Sequence, residues 1–190
     1  TPTKSSAASD VYKRQGHELP PGTNAELIAT ASFSIEGIPF VFTNSAMGCL
    51  VDVDVDTGLT KIEKFWAVED CGTQINPKLV EEQIRGGVVQ GIGGALYEEC
   101  IYDEMGNLTN GNMADYLVPM AYEMPDIIVD HVTTNSGRSI LGAKGAGEAG
   151  TGGAPGAIMN AINDALISLN TEVTSQPITP EKVLKALGKI

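Results

Sequence analysis

The sequence predicts an α+β fold with mixed sheets, hairpins and about three helices. Segments with a period of two come early in the chain, and segments with helical spacing and capping residues follow. The 190 residues are 42% hydrophobic, which is enough for a domain with a substantial core. The 22 glycines follow no repeat period, so we expect a globular chain with many tight turns.

A hairpin is the clearest local prediction. Val51, Val53 and Val55 alternate with aspartates, which places the valines on one face of a strand. The residues DTGL are then predicted to form a turn, and Ile62 to begin the return strand. A further strand is predicted upstream over Ala25–Ile35, where small and β-branched residues are frequent.

The spacing of the acidic residues in this hairpin partly matches that of a calcium-binding loop. Asp52, Asp54, Asp56 and Glu63 fall at the ligand positions 1, 3, 5 and 12 of an EF-hand. Gly58 comes one position too late for the required turn, and the intervening valines demand a buried face. We therefore expect a solvated strand face here.

The first helix is predicted to have Asn76 as its cap and Pro77 at its first position. Its closely spaced glycines each cost about 1 kcal/mol relative to alanine. These glycines are Gly86, Gly87, Gly91, Gly93 and Gly94. They allow either close packing or a ligand pressed against the backbone, with Gln83 or Gln90 hydrogen-bonding to it. Spacing alone favours packing.

The rest of the chain predicts one more strand and two more helices. The strand covers Asp126–Thr134. An apolar helix covers Ala154–Asn170, with Pro155 near its start. In the terminal amphipathic helix, Thr179 is the cap and Gly188 marks the end.

Charge and cysteine usage narrow the class of protein. The net charge of −12 repels phosphate backbones and anionic membrane surfaces, so neither nucleic acid nor such a surface is an expected partner. No apolar run has the length of a membrane span. Cys49, Cys71 and Cys100 stand far apart without a C-x-x-C pair, so we expect no zinc or iron–sulfur ligation. Ordinary buried or half-buried thiols in a reducing cytoplasm fit best.

The first residues differ in character from the rest. Residues 1–15 are polar and lack periodicity, and DVYKRQ back-translates to a sequence like a transposon-end adapter. We therefore predict that residues 1–15 are a non-native leader or sequencing artefact, and that residues 16–190 form the domain.

One glycine-rich stretch, GAKGAGEAG over Gly142–Gly150, surrounds a single carboxylate, Glu148. Its glycines also spell the G-x-G-x-x-G of a dinucleotide-binding turn, but no predicted strand leads directly into it. As an active-site loop, it would hold Glu148 away from water as a general base, with Lys144 nearby. As the start of a helix, it would place the carboxylate near the positive end of the helix dipole. The catalytic and the structural interpretation both stay open at this level.

Several ordered motifs add a family resemblance. GAKGAGEAG followed by GAPGAIMNAINDAL resembles the C-terminal signature of the molybdenum hydroxylases, the family of xanthine dehydrogenase, aldehyde oxidase and the molybdenum carbon monoxide dehydrogenase large subunit. DCGTQINP, EEQIRGGVVQGIGG and MADYLVPMAYEMPDI resemble further family segments in the expected order. The resemblance extends over about residues 16–187, and it implies the C-terminal molybdenum-cofactor-binding domain of a longer subunit.

The resemblance also implies site residues. A glutamate at the position of Glu148 takes the proton from the metal-bound hydroxyl, and the oxygen, which comes from water, is added to an electron-poor carbon. Residues matching Gln83, Gly145, Ala146 and Gly147 contact the molybdenum–molybdopterin cofactor. No side chain of this chain is expected to ligate the metal.

The implied enzyme has more parts than this chain. The cofactor would be molybdopterin in its plain or cytosine dinucleotide form, with 2Fe-2S and FAD on partner domains or subunits. The expected partners are the N-terminal half of the molybdenum subunit, the iron–sulfur and flavin subunits, and a small-molecule substrate. The chain alone is expected to be inactive. A carbon monoxide dehydrogenase or aldehyde oxidoreductase fragment, or a non-catalytic docking module, are the alternatives.

Overall fold

The structure is a computed structural model that describes residues 30–32, 34 and 41–190 of the chain. In this part, three strands and three α-helices are present, which confirms the α+β class and the predicted number of helices. The predicted leader over residues 1–15 and most of the strand predicted over Ala25–Ile35 lie outside the described residues.

The three strands form a mixed sheet in the order β1–β2–β3. The predicted hairpin is confirmed, because β1 (Asn44–Val53) runs antiparallel to β2 (Thr60–Asp70). Strand β3 (Asp126–His131) pairs with β2 in parallel. It ends earlier than predicted because Thr134 leaves the sheet direction: its backbone N–H and its hydroxyl both donate to Asp70.

The hairpin turn uses Asp54 as its organising side chain. Its Oδ1 accepts from the N–H of Asp56 at 2.9 Å, and its Oδ2 accepts from the hydroxyl of Thr57 at 2.7 Å. These bonds hold the pKa of Asp54 below its ordinary value. Asp52, Asp54 and Asp56 are exposed, whereas the valines between them are half-buried. The aspartates therefore lie on a solvated face, as the alternation predicts, and Asp54 also organises the turn.

Helices α1 and α3 start where their caps predict. In α1 (Pro77–Leu96), Asn76 Oδ1 accepts a hydrogen bond from the N–H of Leu79 in the first turn at 3.3 Å. In α3 (Pro180–Ala186), the Thr179 hydroxyl accepts from the first turn at 3.3 Å, and Gly188 with φ +66° follows the last turn. None of the helices within the described ranges is long and apolar enough to cross a membrane.

Helix α2 (Ala149–Leu166) begins before the sequence predicts. Pro155 was expected near the start but lies inside the helix, where a proline costs about 3 kcal/mol. Tertiary contacts offset this cost. Gly150 packs on the backbone of α1, and the Thr151 hydroxyl bonds to the carbonyl of Gly87 at 3.1 Å. The glycine-rich stretch therefore runs directly into a packed helix.

The helices cover one face of the sheet. Phe65 and Ala67 of β2 are fully buried on that face, and they belong to one cluster with the apolar residues of the helices. On the opposite face of the sheet, the strand residues Leu50, Trp66 and Ile128 are exposed. The sheet thus has one packed face and one face that retains exposed apolar side chains.

The glycines of α1 divide into two kinds. A Cβ on Gly87 would lie 2.9 Å from the Cα of Gly150, and a Cβ on Gly91 would lie 2.7 Å from the Cβ of Ala154. A Cβ on Gly86 would meet nothing within 4 Å. Close packing is therefore confirmed as the reason for Gly87 and Gly91, and the contact is with α2.

The three cysteines are free thiols. Cys71 is buried and Cys49 is half-buried, as expected, and burial raises the pKa of Cys49 to about 11. The expectation is wrong for Cys100, which is exposed, because it lies in the loop after α1 has ended.

Candidate functional site

The glycine-rich loop lies against the connection between β2 and α1. Gly72 and Ala143 form an antiparallel bridge, and the N–H of Lys144 donates to the carbonyl of Cys71 at 2.8 Å. Gly72 has φ +64°, and a Cβ there would collide with the carbonyl of Gly142. Glycine is required at position 72 because the two backbones approach so closely.

Three of the predicted cofactor-binding residues line one cavity. Gln83 on α1 lies opposite Ala146 and Gly147, and its Nε2 donates to the carbonyl of Gly147 at 2.8 Å. The cavity has a volume of about 430 Å³ and includes the buried Cys71 in its wall. Gly145 is not part of the lining, and its carbonyl accepts from the hydroxyl of Thr43.

Glu148 occupies the N-cap position of α2. Its backbone carbonyl accepts from Thr151 and Gly152 at 3.2 Å, but its side chain makes no capping bond. The carboxylate was expected to be held away from water, whereas in this chain it is exposed. Lys144 does not face it, because its ammonium is engaged elsewhere. Within the described part of the chain, Glu148 is thus an unpaired carboxylate, and it directly follows Gly147, which lines the cavity.

Lys144 instead forms a buried ion pair with Asp70, a residue that the sequence patterns do not single out. The Lys144 Nζ lies 2.9 Å from Asp70 Oδ2, and the two side chains are only 8% and 11% exposed. Two hydrogen bonds from Thr134 are the main cause that holds the pKa of Asp70 well below its ordinary value, and Lys144 adds to the effect. The signal in the sequence was the D-x-G motif in which Asp70 stands directly after an alternating strand.

A second carboxylate near the end of β2 was also missed. Glu69 is 1% exposed, and neither of its side-chain oxygens has a hydrogen-bond partner among the described residues. Burial raises the pKa of Glu69 to about 7. The period of two that buries Phe65 and Ala67 also points Glu69 at the core, so the signal was available in the alternation.

The geometry does not fit a dinucleotide-binding turn. That turn requires a strand leading directly into the first glycine and a helix directly after it. Strand β3 ends at His131, and within the described residues the strand pairing just before Gly145 is limited to the isolated bridge at Ala143. The glycine-rich stretch is therefore an ordered loop followed by a helix.

Comparison with known proteins identifies the family. Residues 3–125 match the family model of the molybdopterin cofactor-binding domain, which is more than half of the chain. The chain belongs to this family. The domain is 45% identical over 146 residues to the nicotine 6-hydroxylase large subunit of Paenarthrobacter nicotinovorans, covering 77% of the chain and 18% of that protein. It is 32% identical over 185 residues to the carbon monoxide dehydrogenase large chain of Hydrogenophaga pseudoflava, covering 97% and 23%.

Solved structures agree with these sequence matches. The fold is similar to quinoline 2-oxidoreductase from Pseudomonas putida 86, with a TM-score of 0.80, 42% identity, and coverage of 90% of this chain and 22% of that one. The resemblance to molybdenum hydroxylases is therefore confirmed at the level of family and fold. The molybdopterin cofactor-binding domain described here spans about a fifth of the length of these relatives.

The donor set at the cavity fits the cofactor that the family name implies. The N–H groups of Ala146 and Gly147, which line the cavity, and that of the neighbouring Gly145 donate to no backbone acceptor in the described residues. A Cβ on Gly145 or Gly147 would meet nothing within 4 Å, so a large ligand has access to these backbone groups. Gln83 keeps its amide oxygen available, because the bond to Gly147 uses only its nitrogen. Polar backbone groups and one amide can orient a pterin without a charged ligand.

Proposed function

We propose that this chain is the C-terminal part of the molybdopterin-binding subunit of a xanthine dehydrogenase-like molybdenum hydroxylase. The enzyme would add an oxygen atom derived from water to an electron-poor carbon, with Glu148 as the general base. Gln83, Gly145, Ala146 and Gly147 would hold the cofactor. The chain alone would be inactive, because it spans about a fifth of its relatives' length.

One observation carries the proposal. The Gln83–Gly147 hydrogen bond of 2.8 Å fixes the loop at the residue directly before Glu148, at the rim of the cavity. The carboxylate has no ion pair or hydrogen bond within the described residues that would have to break before it accepts a proton. A general base needs this combination of defined position and free lone pairs.

These contacts suggest a separate role for the cofactor and for each site residue. When bound, the molybdenum cofactor would supply activation of the oxygen and accept two electrons from the substrate. The carboxylate oxygens of Glu148 would accept the proton that the activation releases. The N–H groups of Ala146 and Gly147 would orient the cofactor, and the Gln83 amide would hold both the loop and the bound group.

The remaining parts would come from outside this chain. The upstream part of the subunit is proposed to pack on the outer face of the sheet, where Leu50, Trp66 and Ile128 are exposed. Iron–sulfur and flavin subunits would take the electrons, and the pterin would be the plain or the cytosine dinucleotide form. The free cysteines suit a reducing compartment, and we extend the proposal to a cytoplasmic enzyme.

The substrate class is proposed from the similarity to two named relatives. The relatives named for nicotine and quinoline share 45% and 42% identity with this chain, whereas two carbon monoxide dehydrogenase large chains share 36% and 32%. An N-heterocyclic substrate is therefore the first compound to test. Aldehydes, purines and carbon monoxide are the other substrates to test in the same activity assay.

The test is Glu148→Gln in the full-length subunit within its complex. Loss of a general base lowers turnover by roughly 10²–10⁴-fold, and we expect a loss in this range at unchanged molybdenum content. Glu104→Gln is the matched control, because Glu104 is an exposed glutamate in a loop away from the cavity. It should leave turnover unchanged.

Two outcomes would decide against the proposal. Turnover of Glu148→Gln within tenfold of the wild type, at equal metal content, contradicts the role of Glu148 as a base. A full-length protein that binds partner subunits but contains no molybdenum would instead support the docking module.

A further inference from the structure

Asp70 and Lys144 form a buried ion pair to which the proposed reaction assigns no role, and Lys144 stands four residues before the proposed base, Glu148. Asp70 ends β2, and its two oxygens accept four hydrogen bonds. Oδ1 accepts from the N–H of Gly72 and the N–H of Thr134, each at 3.0 Å. Oδ2 accepts from the Thr134 hydroxyl and from Lys144 Nζ, the latter at 2.9 Å. Lys144 Nζ also lies 2.7 Å from the Thr134 hydroxyl, so three side chains close one network.

We propose that the Asp70–Thr134–Lys144 network positions the loop that carries Glu148. It would set the register of residues 142–147 on the β2–α1 connection, and so the place of the carboxylate at the cavity. Asp70 and Lys144 are positioning residues in this proposal, because their charged groups are engaged with each other and would act through the loop. The catalytic part of this inference rests on the proposed function.

The main-chain contacts alone leave the register of the loop weakly held. Lys144 N–H bonds to Cys71 at 2.8 Å, and Thr73 N–H bonds to Gly142 at 3.3 Å. Two such bonds can be exchanged for others when a short segment slips along its neighbour. The side chain of Lys144 prevents the slip, because moving it would leave Asp70 buried without its counter-charge.

The anchored position is close to Glu148 along the chain. Only Gly145, Ala146 and Gly147 separate Lys144 from Glu148, and two of these three are glycines with open space around their Cβ positions. Between Lys144 and Glu148, the described residues hold the loop by two side-chain hydrogen bonds at the surface, from Thr43 to the carbonyl of Gly145 and from Gln83 to the carbonyl of Gly147. A buried charged network is a stronger restraint than these two neutral, exposed hydrogen bonds. Loss of the network would therefore widen the range of positions open to the carboxylate.

The experiment uses the full-length subunit in its assembled enzyme, with two readouts. Lys144→Met removes the charge, Lys144→Arg keeps it, and Lys185→Met removes a lysine whose ion pair on α3 is exposed. Hydrogen exchange of the Lys144 and Thr73 amides reports loop opening without any turnover. We expect at least tenfold faster exchange for Lys144→Met, with exchange in α2 unchanged.

The kinetic readout separates positioning from a general loss of stability. For Lys144→Met we expect kcat to fall at least tenfold while KM stays within threefold, at unchanged molybdenum content. Lys144→Arg should recover most of the lost kcat, and Lys185→Met should match the wild type in both readouts. If Lys144→Met does not fold, Thr134→Val replaces it, because that change removes a shared hydroxyl and leaves both charges. For Thr134→Val we expect faster amide exchange and a lower kcat, each changed by a smaller factor than for Lys144→Met.

The outcomes distinguish this inference from the proposed function. Exchange of the Lys144 and Thr73 amides within twofold of the wild type, in a folded Lys144→Met or Thr134→Val variant, overturns the inference. Turnover that survives Glu148→Gln overturns the proposed function instead, and leaves the exchange result as evidence on loop position alone. Faster exchange with unchanged kcat overturns the catalytic part of the inference.

Discussion

The buried carboxylate of Glu69 should make the stability of the chain fall as the pH rises. The side chain is 1% exposed and its oxygens have no partner among the described residues, so its charged form is strongly disfavoured in the folded chain. Burial raises the pKa of Glu69 from 4.5 to about 7. Between these two values the folded chain binds more protons than the unfolded chain. The free energy of unfolding therefore falls between pH 4.5 and about 7, and levels off above.

The size of the effect follows from the pKa change. A tenfold change in proton affinity is worth about 1.4 kcal/mol, so the whole change corresponds to about 3 kcal/mol. Between pH 5 and pH 8, the free energy of unfolding is expected to fall by about 2.5 kcal/mol. Glu69→Gln removes the titration and keeps the volume, so the variant should be more stable than the wild type at pH 8 by about this amount. At pH 5 the two should be similar.

The assay is urea unfolding of the purified chain at several pH values, followed by far-UV circular dichroism and by the fluorescence of its single tryptophan, Trp66. Glu63→Gln is the control, because Glu63 is an exposed glutamate on the same strand. The control should follow the wild-type pH dependence. A stability difference between Glu69→Gln and the wild type that changes by less than about 0.5 kcal/mol from pH 5 to pH 8 would refute the reasoning.

Two further predictions concern packing and capping. Gly87→Ala should lower the free energy of unfolding by about 1–3 kcal/mol, because its Cβ would lie 2.9 Å from the Cα of Gly150. Gly86→Ala should raise it by up to about 1 kcal/mol, since its Cβ meets nothing within 4 Å; equal effects of the two changes in denaturant unfolding would contradict this explanation. Thr179→Ala should cost about 1 kcal/mol through the lost bond to the N–H of Lys182, and Thr179→Ser should restore it in the same assay.

The features that the sequence predicts well depend on neighbours in the chain. The cap of α1 at Asn76 needs only the donor three residues later, and the hairpin needs only the alternation before Val53 and a turn at Asp54. These are local hydrogen bonds and local periodicities, so a single segment contains all the information. The same holds for the end of α3 at Gly188.

The features that the sequence does not predict depend on distant partners. The parallel pairing of β3 with β2 joins segments far apart in the chain, and no local pattern specifies its register. The early start of α2 depends on contact between Gly150 and α1. The partner of Lys144 is Asp70, and spacing along the chain suggested Glu148 instead, because only the bridge beside Gly72 brings the lysine to the end of β2.

The contact between α1 and α2 explains why the candidate site residues meet. Gln83 and Gly87 are one helical turn apart on α1, so they lie on the same face of that helix. Gly87 touches Gly150 in the first turn of α2, and Gly147 precedes that turn. Close approach of the two glycines therefore brings the Gln83 amide within 2.8 Å of the Gly147 carbonyl. Packing and ligand approach, which the sequence offers as alternative reasons for the glycines, are connected: the packed glycines place the loop where a cofactor could reach its backbone.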